Sequence, residues 1–423
     1  MTKHDRQRRT SRMVLASLLA GAIILAGCSS SSSSKSSPSS GQSSGAQAPA
    51  SNLPPFRVLA IVAQSGALAS IAQASVQGLE AAADQVNQQG GILGHKVEVN
   101  AVNDNLDPTT AANALQQQIS NGTMPNLVYA GSTSNETLAL VPILTTDKLL
   151  SLQATVSAKT IDPTKWPYAF SLGPATDDAA TGLAAAIKQG YPNAKTVGVI
   201  IGNDVNGSSL LNSERSALQA NGLKVASQQY SPTSTLDMTP QLQALKAANP
   251  DLLVASGFGA VAGYILAGRE KLGWTVPVVG DASFSANNLA KLGTPSQLNG
   301  VSIATIKTFV HKVLAQQSPA FQTFYNATKA KGADFSQSIV IYTIGWDTIQ
   351  LAKLAAIQAN SLDTVAMAKA LENLNQPADP AYVSYPIEKF SPQKHSPILD
   401  PSFDVTAGPY LKDGMFLPVG QTP

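Results

Sequence analysis

Residue types that support specialised chemistry are scarce in this chain of 423 residues. The one cysteine, Cys28, excludes an intrachain disulfide and a cysteine-based zinc site. The four histidines are far apart in sequence, so a histidine metal site would require long-range assembly. We therefore predict neither a metal nor a cofactor.

Charge and long apolar runs are also scarce. Charged residues make up 13% of the chain, against about 25% in typical globular proteins. The net charge of +2, spread evenly, argues against a nucleic-acid binder. Past the N-terminus, no uncharged apolar run approaches the ~20 residues of a membrane-spanning helix. The length and the 43% hydrophobic content predict a folded protein of two or three domains.

The first 27 residues have the pattern of an export signal. Five basic residues precede an uncharged stretch from Met13 to Gly27, which is short for a membrane-spanning helix. Leu25-Ala26-Gly27-Cys28 resembles the bacterial lipobox, in which the cysteine becomes the lipidated first residue. We predict a signal peptide over residues 1–27 and a lipid anchor at Cys28, on the extracytoplasmic face of the cell membrane.

A serine-rich segment follows the cysteine. Residues 29–52 contain 13 serines and almost no apolar side chain, so residues 28–53 are predicted to form a disordered tether. A flexible segment of this length reaches roughly 25–30 Å. Removal of residues 1–27 leaves 23 basic and 25 acidic residues, so the predicted mature chain carries a charge of −2.

From Phe56 onward, short β-branched runs alternate with amphipathic helical patterns. This alternation predicts an α/β fold with parallel sheets covered by helices on both faces. The predicted strands are Arg57–Ala63, Lys96–Val102, Leu127–Ala130, Leu149–Leu152, Thr196–Ile201, Lys224–Tyr230, Asp251–Ala255 and Val276–Val279. The predicted helices are Ser75–Gln89, one opened by Asp107-Pro108, Ser134–Thr145, Thr176–Gln189, Ser208–Asn221, Met238–Ala248, Ala260–Lys271 and Phe335–Ile357.

Two stretches of the body, 125–154 and 250–281, echo each other as strand, Gly/Ser turn, helix and returning strand. This likeness indicates two similar lobes. Ligands of open parallel sheets bind beyond the carboxyl ends of the strands, so two facing lobes would enclose one cleft. The helices that start there would direct free N–H groups at a carboxylate or other acceptor. Polar turns suited to such a cleft are Gln64-Ser65-Gly66, Gly131-Ser132-Thr133-Ser134, Gln153-Ala154-Thr155, Asn203-Asp204, Asn206-Gly207, Ser256-Gly257-Phe258 and Asp281.

The region from Val58 to Phe403 resembles the type I periplasmic solute-binding proteins of ABC transporters, in particular the leucine/isoleucine/valine-binding branch. The resemblance rests on Ser65-Gly66, on Gly78 to Ala82, on Val86 to Gly94 (VNQQGGILG), and on the run from Asp104 to Ala112. It implies a protein that is not an enzyme, with two lobes joined by three crossovers. We expect the lobes at 54–173 with 307–383 and at 174–306 with 384–423.

The resemblance also implies roles for single residues. Ser132 lies where the family offers a hydroxyl to a ligand carboxylate, and Thr155 with the backbone of Ala154 lies where it adds a hydroxyl and N–H groups. Asp281 lies where the family places an acid, usually a longer Glu, for a ligand ammonium. The full predicted site is Gln64, Ser65, Ser132, Thr133, Ala154, Thr155, Asn206, Phe258 and Asp281. Ser132 and Thr133 alternatively cap the helix that follows them.

Three positions depart from the family pattern. Asn206 and Phe258 stand where amino-acid binders usually have tyrosines, and Ile71 occupies another position that is often aromatic. The ligand class therefore stays open among an amino acid, an amide and a neutral polar solute. We expect a small solute to bind between the lobes and the closed form to dock on a membrane permease. A membrane-tethered sensor with the same cleft is the alternative.

Two motifs raise the possibility of an enzyme. The run Gly257 to Gly263 follows a strand and opens a helix, with Asp281 22 residues after Gly259, which is similar to a dinucleotide fingerprint with one extra residue. It comes late in its lobe, whereas such sites normally use the first strand. The run Gly41 to Gly45 matches a serine-hydrolase motif, but it lies in the predicted tether without a strand or a helix beside it.

Overall fold

The computed structural model describes residues 53–155, 157–385, 389–397 and 404–423. The predicted signal peptide, the lipidation site Cys28 and all of the predicted tether except Leu53 lie outside the described residues. No helix of the described part is long and apolar enough to cross a membrane.

A five-stranded parallel sheet forms the centre of the first lobe. Its strands are β1 (Phe56–Val62), β2 (Val97–Asn103), β3 (Leu127–Ala130), β4 (Ser151–Gln153) and β5 (Ala169–Ser171). They lie side by side in the order β2-β1-β3-β4-β5. Between them run the helices α1 (Ala69–Gln88), α2 (Pro108–Ser120) and α3 (Ser134–Thr146). Leu59 and Ile61 pack on the side of α2 and α3, whereas Val58 and Ala60 pack on the side of α1, so β1 is buried on both faces.

A six-stranded sheet forms the second lobe. Its strands are β6 (Thr196–Gly202), β7 (Lys224–Tyr230), β8 (Leu252–Ala255), β9 (Val278–Gly280), β10 (Val301–Ile306) and β11 (Asp404–Ala407). The order is β11-β10-β9-β8-β6-β7, and the last strand, β11, pairs antiparallel with β10. The helices of this lobe are α4 (Thr176–Gly190), α5 (Val205–Ala220), α6 (Thr239–Ala247), α7 (Ala260–Lys271), α8 (Ala282–Ser285) and α9 (Leu289–Leu292).

The chain returns to the first lobe after β10. The helices α10 (Pro319–Ala330), α11 (Ile339–Ala359) and α12 (Thr364–Leu371) add to its hydrophobic core, and α11 packs along α1. Close approach of these two helices depends on glycine, because a Cβ added at Gly345 would overlap the carbonyl oxygen of Ser75. A Cβ at Gly78 would in turn overlap the carbonyl oxygen of Tyr342.

The third passage between the lobes comes later than the predicted boundary at residue 384. The Phe390 ring packs edge-on against Phe170 of β5 at a centroid distance of 5.5 Å, and the His395 ring stacks on Phe170 at 3.8 Å. Residues 389–397 therefore still pack with the first lobe, and the chain next enters the second sheet at Asp404. A terminal hairpin, β12 (Leu411–Lys412) and β13 (Met415–Phe416), follows.

The predicted α/β fold class with parallel sheets is confirmed. Five strands, β5 and β10 to β13, were not among those predicted, and two helices begin earlier than predicted: α1 at Ala69 and α5 at Val205. The early start of α5 has a local cause, since the Asp204 side chain accepts a hydrogen bond from the Gly207 N–H at 2.7 Å and so caps the helix.

Candidate ligand-binding site

A cavity of about 220 Å³ lies between the two sheets of the chain. Its walls include residues that follow β3, β4 and β5 in the first lobe and β6, β8 and β9 in the second. These turns come together because all six strands are parallel within their sheets, so their carboxyl ends lie at one edge of each sheet. At the rim, the Asn135 Oδ1 atom of α3 accepts from the Val205 N–H of α5 at 3.4 Å.

The structure brings seven of the nine predicted site residues together. The lining includes Ser132, Thr133, Ala154, Thr155, Asn206, Phe258 and Asp281. Gln64 and Ser65 are exposed and do not belong to the cavity lining. Their polar groups serve the turn itself, since the Gln64 N–H donates to Asn103 Oδ1 and the Ser65 hydroxyl donates to Asn105 Oδ1, both at 2.8 Å.

Apolar side chains form much of the cavity wall. The polar turn motifs of the sequence did not predict this apolar character. Helices α1, α4, α5 and α11 supply Ile71, Leu183, Leu210, Val340, Ile341 and Ile344. Connecting segments supply Leu68, Phe258 and Phe309. At about 220 Å³ the cavity is smaller than the ~300–1,000 Å³ typical of drug-sized ligands. It therefore suits a small solute with an apolar portion.

The wall from the first lobe presents hydroxyl groups beside the N-terminus of α3. The Ser132 Oγ atom accepts from the Ala63 N–H at 2.7 Å, which leaves the hydroxyl proton for another acceptor. Thr133 is the N-cap of α3 and forms a capping box with Glu136, whose Oε2 atom accepts from the Thr133 N–H at 2.8 Å. The capping interpretation is therefore confirmed for Thr133. The Thr155 hydroxyl donates to Thr137 Oγ1 at 3.1 Å, so only its lone pairs stay available.

The wall from the second lobe presents Asp281, which is 2% exposed. Its Oδ1 atom accepts from the Phe284 N–H at 3.1 Å and from the Ser283 hydroxyl at 2.9 Å, so Asp281 caps α8. Burial raises the pKa of this carboxyl, and hydrogen bonds from Ser256, Phe284 and Ser283 oppose that effect. Asp281 thus combines a structural role with a position on the cavity wall.

Sequence reasoning missed Glu214, which also lines the cavity. Its side chain is fully buried, and within the described residues neither Oε atom has a hydrogen-bond partner. Burial, and secondarily the charge of Asp281, raise the pKa of Glu214 well above its usual range. One signal was available: Leu210, Leu211, Glu214 and Leu218 follow helical spacing on α5, so the acid interrupts an apolar stripe.

The ionisable groups on the cavity wall are all acidic. The lining described by the structure includes Asp204, Glu214 and Asp281, and it includes no lysine, arginine or histidine. Within the described ranges no cluster of three or more His, Cys, Asp or Glu side chains is arranged to hold a metal ion. Electrostatically, the cavity favours a solute that carries a positive group.

The glycine run after β8 has a packing role that accounts for its pattern. The Gly259 N–H, at the start of α7, donates to Asn287 Oδ1 at 2.7 Å, and the Asn287 amide donates to the Gly257 carbonyl at 2.9 Å. A Cβ at Gly263 would lie 2.7 Å from the carbonyl oxygen of Leu292. The Asn287 side chain thus engages the backbone of this glycine turn on both its N–H and its carbonyl side.

A family model described as "periplasmic binding protein" matches residues 55–398. The chain belongs to the periplasmic binding protein family. Members of this family are extracytoplasmic solute-binding proteins without enzymatic activity, and the chain is a solute-binding protein of the ABC-transporter type. The predicted resemblance is thereby confirmed at the level of the family.

Several periplasmic binding proteins are similar to this chain. A Leu/Ile/Val-binding protein homolog 8 of Brucella abortus (strain 2308) is 22% identical over 276 residues, which cover 63% of this chain and 68% of the relative. A type 1 periplasmic binding protein from Bordetella pertussis Tohama I has a TM-score of 0.72 at 21% identity, covering 85% of this chain and 98% of that one. LivJ from Streptococcus pneumoniae, solved with isoleucine, has a TM-score of 0.70 at 18% identity and covers 86% and 97%.

Proposed function

We propose that this protein is the extracytoplasmic substrate-binding lipoprotein of an ABC importer and that it captures an amino acid with an apolar side chain. The observation that carries the proposal is the cavity between the lobes, which joins an apolar wall to hydroxyl groups on one side and a buried acid on the other. An α-amino acid with an apolar side chain matches all three: its side chain suits the apolar wall, its carboxylate suits the hydroxyl groups, and its ammonium group suits the buried acid.

The carboxylate of the solute has a suitable partner in the first lobe. Ser132 keeps its hydroxyl proton for donation, because its oxygen already accepts from the Ala63 N–H. The N-terminus of α3 lies directly beside it, and a helix N-terminus attracts negative charge. Together they offer the Ser132 hydroxyl proton and the dipole of α3 without a basic side chain, although the Thr133 N–H already donates to Glu136.

The ammonium group of the solute has a suitable partner in the second lobe. Asp281 is buried at the opposite wall, where a carboxylate interacts more strongly than in water. Asn206 adds a buried Oδ1 atom that lacks a hydrogen-bond partner within the described residues. Both groups are acceptors, and an ammonium offers three donors.

The apolar side chain of the solute would pack against Leu68, Ile71 and Phe258. Ile71 and Phe258 stand at positions that are often aromatic in amino-acid binders, and both keep the wall apolar. Burial of an apolar side chain the size of leucine contributes about 1.5–3 kcal/mol. This preference argues for an amino acid over a purely polar amide or sugar.

Binding between two lobes implies a mechanism of closure. Solute contacts to both walls stabilise the arrangement in which the lobes approach, and the closed form is the one that docks on the permease. The lipid on Cys28 and the serine-rich tether would hold the protein near that permease at the membrane surface.

The test is a thermal-shift and calorimetric comparison of the purified protein with L-leucine, L-isoleucine, L-valine and L-phenylalanine. A ligand at 100 times its Kd stabilises the folded state by about 2.7 kcal/mol. We expect Asp281→Asn to weaken binding by roughly 10- to 100-fold, because asparagine still caps α8 but removes the charge.

Glu98→Gln, at an exposed position of β2, is the control and should bind like the wild type. Binding to Asp281→Asn with the affinity of the wild type would exclude the role of Asp281. The absence of a shift with every amino acid would contradict the proposed solute class.

A further inference from the structure

Glu214 is the polar group of the cavity whose burial is hardest to explain by the fold. It lies on the cavity-facing side of α5, two turns beyond Asn206 and one turn beyond Leu210. Both of its carboxyl oxygens are buried without a hydrogen-bond partner in the part of the chain that the structure describes. A buried polar group without a partner costs about 1–3 kcal/mol, and a charged group costs more. The fold therefore gains no stability from this side chain.

The other acids on the wall have partners that account for their presence. Asp204 caps α5 through the Gly207 N–H, and Asp281 caps α8 through the Phe284 N–H and the Ser283 hydroxyl. Among the described residues Glu214 accepts no such hydrogen bond, and it lies close enough to Asp281 for the two carboxyl groups to interact. It is thus the acid on this wall with the most hydrogen-bonding capacity left for a ligand.

We propose that Glu214 is a second solute-binding residue and that, together with Asp281, it binds a positively charged nitrogen of the solute. This inference rests on the proposed function and adds the residue that selects for charge. A nitrogen between two carboxyl groups directs separate N–H donors at each of them. The solute would supply the hydrogen-bond donor that Glu214 lacks among the described residues.

The pairing has a consequence for specificity. A neutral or anionic solute of the same shape would leave the Glu214 oxygens unpaired in a closed cavity, and unpaired buried groups give strong discrimination. No basic side chain of the described lining would offset a second negative charge. The cavity should therefore reject solutes that lack a cationic nitrogen, whatever their apolar portion.

Two matched series of small molecules test this inference on the wild-type protein. The first is L-leucine, 4-methylpentanoate and 3-methylbutylamine; the second is L-phenylalanine, 3-phenylpropanoate and 2-phenylethylamine. Within each series the apolar portion is kept while the ammonium or the carboxylate is removed. We expect the members with an amine to bind and the deaminated acids to bind at least 10-fold more weakly, measured by calorimetry.

The variant Glu214→Gln tests the residue itself. Glutamine keeps the shape of the side chain but cannot ionise beside a bound cation, so we expect a stable fold by circular dichroism and a Kd for the best amine-bearing solute that rises roughly 10- to 100-fold. Glu98→Gln serves as the exposed control. The double variant with Asp281→Asn should lose less than the product of the two single effects, because both residues act on one group.

The outcomes distinguish an error in the role of Glu214 from an error in the proposed solute class. If the deaminated acids bind as well as the parent amino acids, or if Glu214→Gln leaves the Kd unchanged, the inference is wrong while solute binding stands. If no member of either series binds, the proposed solute class fails, and the inference fails with it. Should Glu214→Gln not fold, Glu214→Asp, which keeps the acid but shortens its reach, takes its place, and an unchanged Kd in that variant would equally contradict the inference.

Discussion

Gly345→Ala is expected to lower the free energy of unfolding by about 1–3 kcal/mol. The added Cβ would overlap the carbonyl oxygen of Ser75 and lie 2.8 Å from the backbone nitrogen of Leu79, so both obstacles are backbone atoms of α1. Rotation of a side chain cannot relieve such contacts. The two helices must separate, which opens the core around Trp346, the largest fully buried side chain of the described residues.

The expected change in stability has the opposite sign to the local helix propensity of alanine. In an isolated helix, glycine to alanine is stabilising by about 1 kcal/mol, so a purely local effect would raise stability. Urea unfolding followed by circular dichroism measures the change. Asn326→Ala, at an exposed position of α10, introduces alanine into a helix with space around it and should be neutral or slightly stabilising. A Gly345→Ala protein as stable as the wild type would show that the α1–α11 spacing is adjustable.

The free energy of unfolding is expected to fall as the pH rises from about 4 to about 7, because the buried Asp347 carboxyl loses its proton over that range. This residue of α11 is fully buried and accepts from the Val383 N–H at 2.7 Å and the Ser384 N–H at 2.8 Å. Burial raises its pKa to about 7, although these hydrogen bonds favour the ionised form. Asp347 thereby attaches the segment next to Tyr385, a cavity-lining residue, to the core of the first lobe.

The sign follows from proton binding. Between the unfolded pKa of 3.8 and the folded pKa of about 7, the folded protein holds a proton on Asp347 that the unfolded chain releases. The contribution is fully present below the unfolded value and is lost as the pH rises through the folded value. At 1.36 kcal/mol for each pKa unit, the loss is roughly 4 kcal/mol.

Asp347→Asn isolates this contribution, because asparagine keeps one acceptor oxygen and does not titrate. We expect the difference in free energy of unfolding between wild type and variant to change by roughly 4 kcal/mol between pH 4 and pH 8, in favour of the variant at high pH. Urea unfolding at four pH values measures it, and Glu98→Gln should run parallel to the wild type. Parallel curves for wild type and Asp347→Asn would contradict the assignment.

Local signals predicted most of the fold. The alternation of β-branched runs and helical patterns is a property of neighbouring residues, so strands such as β6 and helices such as α7 were predicted to within one residue. The short strand β5 was missed because three residues carry almost no periodic signal. The start of α5 was missed because Asn206 and Gly207 resemble a turn, whereas the Asp204 cap makes them helical.

The candidate site was predictable only in part. Ser132, Thr155 and Asp281 follow strands, and strand ends of a parallel sheet meet wherever the sheet forms. Gln64 follows a strand as well, but its side chain is exposed and its backbone N–H donates to Asn103, although Leu68 in the same turn lines the cavity. The local sequence does not distinguish Gln64 from the strand-end residues that line the cavity, because the orientation of a side chain in a turn depends on the segments that pack against it.

The amino-acid sequence by itself determined the α/β class, the two-lobed family and most of the strand-end residues of the cavity. Those properties arise from the spacing of residues along the chain. Only the tertiary structure decided that helices supply an apolar wall, that Phe390 and His395 stay with the first lobe, and that Glu214 is buried without a partner. Burial of a particular side chain results from contacts between segments far apart in sequence, and such contacts leave little trace in the pattern of either segment.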